Sequence, residues 1–400
     1  MNGGESVSEL QTTSLPRKLK KRSETPFSER PLSEKPQAIK LTLEDETLFE
    51  GFLFGHSKAV SGEVVFNTGM VGYPETLTDP SYHGQILVFT YPLIGNYGVP
   101  PYKVDEFGLP LGFESEKIQA AGIIVTEYTA AYSHQSATRS LGEWLESEGV
   151  PGITGIDTRA LTKRLRSKGT MLGKIETDTQ KTEIVDPFTV NLVANVSPRE
   201  MSVLTPTSTN GDRPLRVVLL DCGCKANIKR SLLKRNLEVI VVPHDHYFLN
   251  MDFDGLLISN GPGDPRLAVD TIKIIEHALA VGKPTLGICM GHQLLAIAAG
   301  GETYKLKYGH RSQNQPCLLT DSGGRCMITS QNHGYAVRKE KLPRDWQVWF
   351  ENANDGTVEG IRHKSKPFLG VQFHPEASPG PLDTAWIFDE FAELVRECAR

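Results

Sequence analysis

The sequence has few of the features that would place it in a membrane, on a nucleic acid or outside the cell. No apolar run reaches the length of about 20 residues that a membrane-spanning helix needs. The net charge is only −5 over 400 residues, and no broad basic field is available for a nucleic acid. Six cysteines are too few for a small-domain disulfide framework, which favours a reducing compartment. We therefore predict a cytoplasmic globular protein with no membrane and no nucleic-acid partner.

Composition divides the chain into four parts. Residues 1–38 are rich in Ser, Pro, Glu and Lys and poor in large apolar side chains, which predicts a disordered tail. The tail carries a basic cluster at 17–22 (RKLKKR), whose role the sequence leaves open. Residues 192–214 are rich in Pro, Ser, Thr and Asn, which predicts a linker. Two parts are left that can fold, 39–191 and 215–400.

The two folded parts have different hydrophobic patterns. Residues 39–191 contain several short apolar segments, beginning with a predicted hairpin of 40–43 and 47–53, and predict a smaller, β-rich α+β domain. From residue 215 onward, apolar strands alternate with amphipathic helices. This alternation is typical of an α/β fold with a doubly wound parallel sheet.

Residues 287–293 read GICMGHQ and lie between an apolar strand and a helix. A cysteine with glycine at both second neighbours, on a strand-to-helix turn, has the form of a nucleophile elbow with Cys in place of Ser. Glycine would let the backbone hold Cys289 in a strained conformation with its sulfur exposed. The helix that begins there would favour the thiolate through its free N–H groups and its dipole. The alternative is a core cysteine on a tight turn, which would need no base nearby.

A candidate base for this thiol lies far along the chain, at 370–376 (GVQFHPE). An apolar strand ends at His374, and Glu376 follows two residues later, where extended geometry directs both side chains the same way. A carboxylate in that position can fix the imidazole tautomer and leave the other ring nitrogen for the thiol. A single His-x-Glu pair is common on surfaces, so the interpretation depends on the elbow.

A third segment, 256–265, is an apolar strand that ends in a Gly-Pro-Gly loop. Alone, such a loop is an ordinary turn after a parallel strand. Beside the elbow, the loop from Gly261 to Gly263 would supply one backbone N–H of an oxyanion hole, and Met290 would supply the other.

These three motifs resemble those of the class I (triad) glutamine amidotransferases. Further runs resemble the carbamoyl-phosphate synthetase small subunit: its N-terminal domain at 66–82 (FNTGMVGYPETLTDPSY) and 90–100 (TYPLIGNYGVP), and its glutamine-side loop at 330–337 (SQNHGYAV). The resemblance extends from about residue 39 to near the C-terminus. Three short runs are similar to the eukaryotic pyrimidine-pathway form, in which this region opens a fused multifunctional enzyme: YPE at 73–75, VPP at 99–101 and DEFG at 105–108.

The resemblance implies a glutaminase with Cys289 as nucleophile, His374 as base and Glu376 as the residue that orients it. It also implies a set of glutamine-binding residues: Ser81, Gly261, Gly263, Met290, Gln293, Asn332, Gly334 and Tyr335. Because Ser81 belongs to the first domain, we expect the site to be closed at the domain interface. The ammonia would pass to a carbamoyl-phosphate synthetase large subunit or fused synthetase domain, with pyrimidine biosynthesis as the expected pathway.

We expect no cofactor and no metal in this chain. No P-loop is present, and no segment has the length or motifs of an ATP-grasp synthetase, so ATP, bicarbonate and Mg are expected on the synthetase partner. Cys222 and Cys224 could suggest a metal site, but no second Cys pair completes a four-ligand set.

Several alternatives share these motifs. An amidotransferase for arginine-pathway carbamoyl phosphate, or for a different synthetase, would have the same triad. A stand-alone cysteine hydrolase that acts on γ-glutamyl compounds would also have this triad, but this alternative leaves the first domain unexplained. A non-catalytic scaffold would be expected to lose the thiol or the base. The sequence does not decide between a separate subunit and a piece of a fused protein, and it does not identify allosteric effectors.

Overall fold

The computed structural model describes residues 37–207 and 213–400. The predicted disordered tail lies outside these residues except at its end, where Ala38 already begins the first strand. Residues 208–212 of the predicted linker also lie outside them.

The N-terminal part contains nine strands and four α-helices in the described residues. The strands are β1 (Ala38–Leu43), β2 (Leu48–Gly55), β3 (Val60–Asn67), β4 (Gln85–Phe89), β5 (Leu93–Ile94), β6 (Gly122–Ile124), β7 (Glu127–Tyr128), β8 (Pro151–Thr154) and β9 (Met171–Thr177). The helices are α1 (Tyr73–Thr78), α2 (Leu141–Glu148), α3 (Thr158–Lys168) and α4 (Val193–Val196).

Seven of these strands close into a barrel in the order β1-β2-β8-β6-β4-β3-β9. The predicted hairpin is present as the antiparallel pair of β1 and β2. Every residue of β4 is buried, because β4 lies between two parallel neighbours, β3 and β6. A strand in that position needs an apolar run, which 86–89 provides, and the buried amide of Gln85 donates to Glu63 over 3.0 Å.

Two helices of this part begin at capping side chains. Ser140 caps α2 through a reciprocal capping box with Glu143. The side chain of Asp157 accepts from the N–H of Ala160 and so caps α3. These side chains satisfy N–H groups that a helix leaves without an internal acceptor.

The C-terminal part is built on one ten-stranded sheet. Its strands are β10 (Ser202–Leu204), β11 (Leu215–Asp221), β12 (Leu237–Pro243), β13 (Gly255–Ile258), β14 (Thr285–Ile288), β15 (Thr303–Leu319), β16 (Cys326–Val337), β17 (Trp346–Asn352), β18 (Val358–His363) and β19 (Phe368–Val371). The helices are α5 (Ala226–Leu233), α6 (Val269–Val281), α7 (Met290–Ala298) and α8 (Trp386–Cys398). The strand order is β10-β12-β11-β13-β14-β19-β18-β16-β15-β17.

The five strands from β12 to β19 in this order are parallel, which confirms the predicted doubly wound sheet. The remaining five strands pair antiparallel and were not predicted to extend it. One of them, β10, lies in the segment predicted as a linker. Loop-type composition did not reveal that three of its residues pair with the edge of the sheet.

Alternate residues of β11 point to opposite faces of this sheet. Val217 and Leu219 pack on one face with α5 and α8, whereas Val218 and Leu220 pack on the other with α6 and α7. The chain therefore forms a helix–sheet–helix sandwich. The strand order reverses between β11 and β13, and folds of this class bind ligands at the carboxyl ends of the strands at such a switch point.

Within residues 37–207 and 213–400, no helix is both long enough and apolar enough to cross a bilayer.

Candidate active site

Cys289 lies between β14 and α7 in a conformation that side chains rarely adopt, with φ 54° and ψ −103°. The neighbouring glycines are required by packing. A Cβ on Gly287 would lie 2.5 Å from the carbonyl oxygen of Gly291, and a Cβ on Gly291 would lie 2.0 Å from that of Ile258. The strained turn at Cys289 therefore requires glycine at both second neighbours.

The thiol of Cys289 is enclosed. The residue is only 2% exposed, so the expectation of an exposed sulfur is wrong. Its Sγ lies 3.6 Å from the carbonyl oxygen of Asn332 on β16, in the wall of a pocket. Residues of β16 and of the N-terminal domain line the same pocket and so enclose the thiol.

His374 and Glu376 form a buried pair just beyond β19. His374 Nδ1 lies 2.6 Å from Glu376 Oε1, and the backbone N–H of His374 donates to the carbonyl of Ser330. The other ring nitrogen, Nε2, has no hydrogen-bond partner among the described residues. One nitrogen is thus held by the carboxylate, and the second is left for another group, as the sequence pattern predicts.

Charge stabilises this pair. Burial opposes a positive charge on His374, but Glu376 and the neighbouring Cys289 outweigh it and raise the pKa of His374 to about 10. Burial also opposes a negative charge on Glu376, but Lys225 and His374 lower the pKa of that carboxyl to about 2. Both side chains are therefore charged at neutral pH, and the charged imidazolium lies beside Cys289.

Lys225 is the third member of this buried charge group. Its Nζ donates to Glu376 Oε1 over 3.0 Å and also donates to the carbonyl oxygen of Ala377. Burial alone would lower the pKa of Lys225, but Glu376 and Glu114 raise it above its usual value. Lys225 therefore holds Glu376 in place and balances its charge.

One pocket beside Cys289 is lined by both parts of the chain. Its walls include all the residues predicted to bind glutamine: Ser81, Gly261, Gly263, Met290, Gln293, Asn332, Gly334 and Tyr335. Their common location agrees with the prediction, and their contacts with glutamine remain a prediction. Three charged side chains that were not predicted also line it, Glu63, Lys305 and Arg311. Arg311 is 5% exposed, and its Nε has no partner within the described residues.

Ser81 reaches this pocket from the N-terminal domain, as expected. Asp79 accepts from the backbone N–H of Ser81 and from Asn332 Nδ2, each over 2.9 Å. Asn260, at the end of β13, donates to Ser81 Oγ over 3.0 Å. These bonds fix the segment around Ser81 against the carboxyl end of the sheet, so the two domains share the walls of the site.

The two backbone segments predicted to form an oxyanion hole both line the pocket. Met290 is the first residue of α7, so its N–H is one of those that the helix leaves without an internal acceptor. Gly261 packs against the carbonyl of Cys222, where a Cβ would lie only 2.1 Å from the oxygen, and Gly263 has a φ of 97°. Position 261 therefore needs glycine because of this packing, and position 263 favours glycine because of its positive φ.

A second buried cluster, formed by His310, His333 and Glu359, has donors that could hold a metal ion. However, both ring nitrogens of His310 contact carboxylates: Nε2 lies 2.9 Å from Asp355, and Nδ1 lies 3.2 Å from Glu359. Burial opposes the charge on His310, but these two carboxylates raise its pKa to about 9. The contacts are those of a buried ion pair with a protonated His310.

Besides the three unpredicted side chains of the pocket wall, Lys225 and Glu114 behind the base were also missed in the sequence. Lys225 follows β11 at the switch point, so its position at the carboxyl end of a central strand was a usable signal. Glu114 lies in a loop of the N-terminal domain, and no local pattern marks it.

Comparisons with known proteins agree with this architecture. Residues 218–394 match the class I glutamine amidotransferase family model, and residues 41–175 match the CPSase domain of the carbamoyl-phosphate synthase small chain. The arginine-specific carbamoyl-phosphate synthase small chain of Neurospora crassa is 48% identical over 362 residues, which are 88% of this chain and 79% of that protein. The chain belongs to the carbamoyl-phosphate synthase small-chain family. The predicted family and fold class are thereby confirmed.

Longer relatives contain the same region of the family. Multifunctional protein CAD of Squalus acanthias is 51% identical over 362 residues, which are 89% of this chain and 16% of that protein. A human mitochondrial carbamoyl-phosphate synthase, whose name specifies ammonia, is 47% identical over 364 residues, 90% of this chain and 24% of that protein. The chain thus spans less than a quarter of these relatives. Because one family member is named for ammonia, membership alone does not identify the nitrogen source.

Proposed function

We propose that the chain is the glutaminase component of a glutamine-hydrolysing carbamoyl-phosphate synthase. The observation that carries this proposal is the placement of Cys289, on its strained turn, in one buried site with the charged pair of His374 and Glu376. A structural cysteine would need neither the turn nor an imidazolium beside it. A relative without this pair of reactive groups could use free ammonia but could not hydrolyse glutamine.

The first half-reaction releases ammonia. The Cys289 thiolate attacks the side-chain carbonyl carbon of glutamine, and the oxygen takes up negative charge between the N–H of Met290 and the Gly261–Gly263 loop. His374 gives its proton to the amide nitrogen as the carbon–nitrogen bond breaks. Ammonia leaves, and a γ-glutamyl thioester remains on the sulfur.

The second half-reaction hydrolyses the thioester. Neutral His374 takes a proton from water as the water oxygen bonds to the carbonyl carbon, and the carbon–sulfur bond breaks. Glutamate leaves and the thiolate is regenerated. Glu376 orients the ring and stabilises the imidazolium in both halves, and Lys225 fixes Glu376. These groups supply every proton and charge that hydrolysis needs, so we assign no metal or cofactor to it.

The pocket supports an amino-acid substrate. A glutamine zwitterion brings one carboxylate and one ammonium into a site with little access to water, and each needs a partner there. Arg311, Lys305 and Glu63 line the pocket with charges of both signs, and Lys305 pairs with Glu63 over 2.7 Å. The eight predicted residues would hold the rest of the molecule, with Ser81 closing it from the N-terminal domain.

The acceptor of the ammonia is a synthetase, as a large subunit or as a fused domain. The names of the relatives support this assignment, since they are carbamoyl-phosphate synthases or multifunctional proteins. ATP, bicarbonate and Mg would be bound by that partner.

We assign the reaction to the cytosol and to pyrimidine synthesis, with the arginine pathway as the alternative because of the arginine-specific relative. A strain without the gene should then require pyrimidines, and a requirement for arginine alone would support the alternative.

The substitution Cys289→Ser tests the function directly. With the synthetase present, it should abolish glutamine-dependent carbamoyl phosphate synthesis, because serine offers no accessible anion at neutral pH. Synthesis from free ammonia should continue, which shows that the complex is still assembled. Glutamine turnover within a few-fold of the unmodified protein would exclude Cys289 as the nucleophile.

A further inference from the structure

Glu114 joins the N-terminal domain to the residues that hold His374 and Glu376. It lies in the loop between β5 and β6 and is 2% exposed. Its backbone N–H donates to Thr78 Oγ1 over 2.8 Å, which fixes the loop to the end of α1. Glu114 is therefore a fixed part of the N-terminal domain.

On its other side, Glu114 contacts the first turn of α5 in the C-terminal domain. Its Oε2 accepts from the N–H of Asn227 over 3.0 Å, and its carbonyl accepts from the N–H of Ala226 over 2.9 Å. Lys225, the residue that precedes the helix, offers no side-chain cap of its own. Glu114 thus caps α5 from another domain, and a carboxylate is favoured there by the helix dipole.

The same turn of α5 holds Glu376. Lys225 Nζ donates to the carboxylate of Glu376, and Asn227 Nδ2 donates to its backbone carbonyl. Contacts therefore run without a gap from Glu114 through the start of α5 to Glu376 and His374. A shift of the first turn of α5 would move the carboxylate that orients the imidazole.

Charge links these groups as well. Lys225 and His374 are positive, and Glu376 is negative. The negative charge of Glu114 acts on Lys225, so its loss leaves Lys225 with Asp79 and with Glu376, which Lys225 shares with His374. Because buried charges need close partners, Lys225 would then bind the Glu376 carboxylate more tightly, and the contact between Glu376 and His374 would weaken.

We propose that Glu114 is a positioning residue for glutamine hydrolysis, which holds Lys225 and the first turn of α5 so that Glu376 can orient His374. The inference rests on the proposed function and deepens it. The N-terminal domain then does more than cover the pocket, because it supplies the group that keeps the base in place.

The protonation of Glu114 offers a readout that a purely structural role would not give. Burial raises its pKa to about 7, although Lys225, Ser378 and the N–H of Asn227 act in the opposite direction, and Glu376 adds to the rise. Glu114 is thus mostly neutral below this pH and mostly charged above it. Gln has nearly the shape of the neutral form and can still accept from Asn227.

The experiment compares Glu114→Gln with Glu116→Gln, an exposed position two residues away on the same loop. We measure kcat and KM for glutamine hydrolysis by each full chain from about pH 6 to about pH 8.5. We expect Glu114→Gln to lower kcat about tenfold at the upper end of this range, less than the roughly hundredfold loss that a displacement of about 1 Å can cause. KM should change less than about twofold, and the loss should nearly disappear at the lower end.

Three results would overturn the proposal. They are an unchanged kcat, a kcat lowered equally at every pH, or an equal effect of Glu116→Gln. If Glu114→Gln does not fold, as judged by its melting temperature, Glu114→Asp replaces it. Asp keeps the charge but is one methylene shorter, so it should lower kcat at every pH, and a kcat like that of the unmodified chain would overturn the proposal.

Cys289→Ser separates this inference from the proposed function. If Cys289→Ser still hydrolyses glutamine, the proposed function fails and the inference fails with it. If Cys289→Ser is inactive but Glu114→Gln equals Glu116→Gln at every pH, only the positioning role is lost.

Discussion

At the scale of single residues, the site depends on positions that accept glycine alone. The carbonyl of Ile258 occupies the space where a side chain on Gly291 would begin, and the same holds for Gly287 and the carbonyl of Gly291. Packing and chemistry thus constrain the same seven residues, 287–293. The nucleophile could be predicted from the sequence because its requirements are met by its immediate neighbours.

The roles of other residues of the site could not be predicted, even where position gave a signal as for Lys225, because their partners lie far away in the chain. Lys225 contacts Glu376 across 151 positions, and Glu114 contacts Asn227 across 113. A lysine before a helix and a glutamate in a loop are ordinary at both places. Their importance follows from burial and opposite charge, which arise only when the two domains pack together.

His374→Asn should damage glutamine hydrolysis more than Glu376→Gln does. The histidine moves protons in both half-reactions, and we expect its loss to lower kcat by about 10³, within the usual range for a general acid–base residue. Glu376 acts through the ring, and we expect about a tenfold to hundredfold loss.

Steady-state kinetics and acid-quenched labelling with radioactive glutamine check this order. The His374→Asn protein should accumulate thioester, because attack can occur slowly while water is no longer activated. Melting temperatures serve as the control, since Glu376→Gln leaves Lys225 without its buried partner. A larger loss of kcat from Glu376→Gln, at equal melting temperatures, would show that the roles are assigned wrongly.

At the scale of secondary-structure elements, the parallel strands were predictable and the antiparallel extension was not. Strands such as β11 and β13 are continuous apolar runs because both faces are covered by helices. In contrast, β15 has 17 residues, many of them polar, and its register shifts between Lys305 and His310 and again between Ser312 and Gln315. Such irregularities break the alternation on which strand prediction depends.

The ion pair of His310 makes the stability of this extension depend on pH. Its pKa is raised to about 9 in the folded chain, so its contribution is fully present below its unfolded pKa of 6.5 and is lost as the pH rises through 9. We expect His310→Asn to lower the free energy of unfolding by about 2 kcal/mol near pH 6, and by much less near pH 10.

Denaturant unfolding at several pH values measures this difference. His56→Asn is the matched control, because His56 also pairs with a glutamate, Glu146, but on the surface, where such pairs contribute little. A destabilisation by His310→Asn that is independent of pH would mean that His310 acts by packing and not by charge.

At the scale of the whole molecule, the active site is a property of two domains together. Asp79 and Ser81 enter from the N-terminal domain, and the N–H of Thr68 donates to the carbonyl of Arg311 on β15. Resemblance to the family predicted the contribution of Ser81. The closed barrel could not be predicted from local patterns, because closure depends on the pairing of β1 with β9 at the opposite end of the domain.

A synthetase partner should speed glutamine hydrolysis by this chain. Thiol, base and oxyanion donors must be placed within a fraction of an ångström, so a partner that improves their placement would raise the rate. We expect a higher kcat on addition of a purified carbamoyl-phosphate synthetase, with a smaller change in KM. Steady-state kinetics with and without the partner test this expectation. An isolated chain that already works at full rate would support the stand-alone hydrolase.

The three residues of β10 affect how fragments of the C-terminal domain should behave in solution. They pair with Val239, Ile240 and Val241 of β12, the last parallel strand on that side of the sheet. Without β10, a row of unpaired backbone groups flanked by valine and isoleucine would face solvent, and such edges promote aggregation. We therefore expect a fragment that starts at Leu215, where the parallel sheet begins, to aggregate. A fragment that starts before Ser202 keeps β10 on the edge of the sheet and should stay in solution.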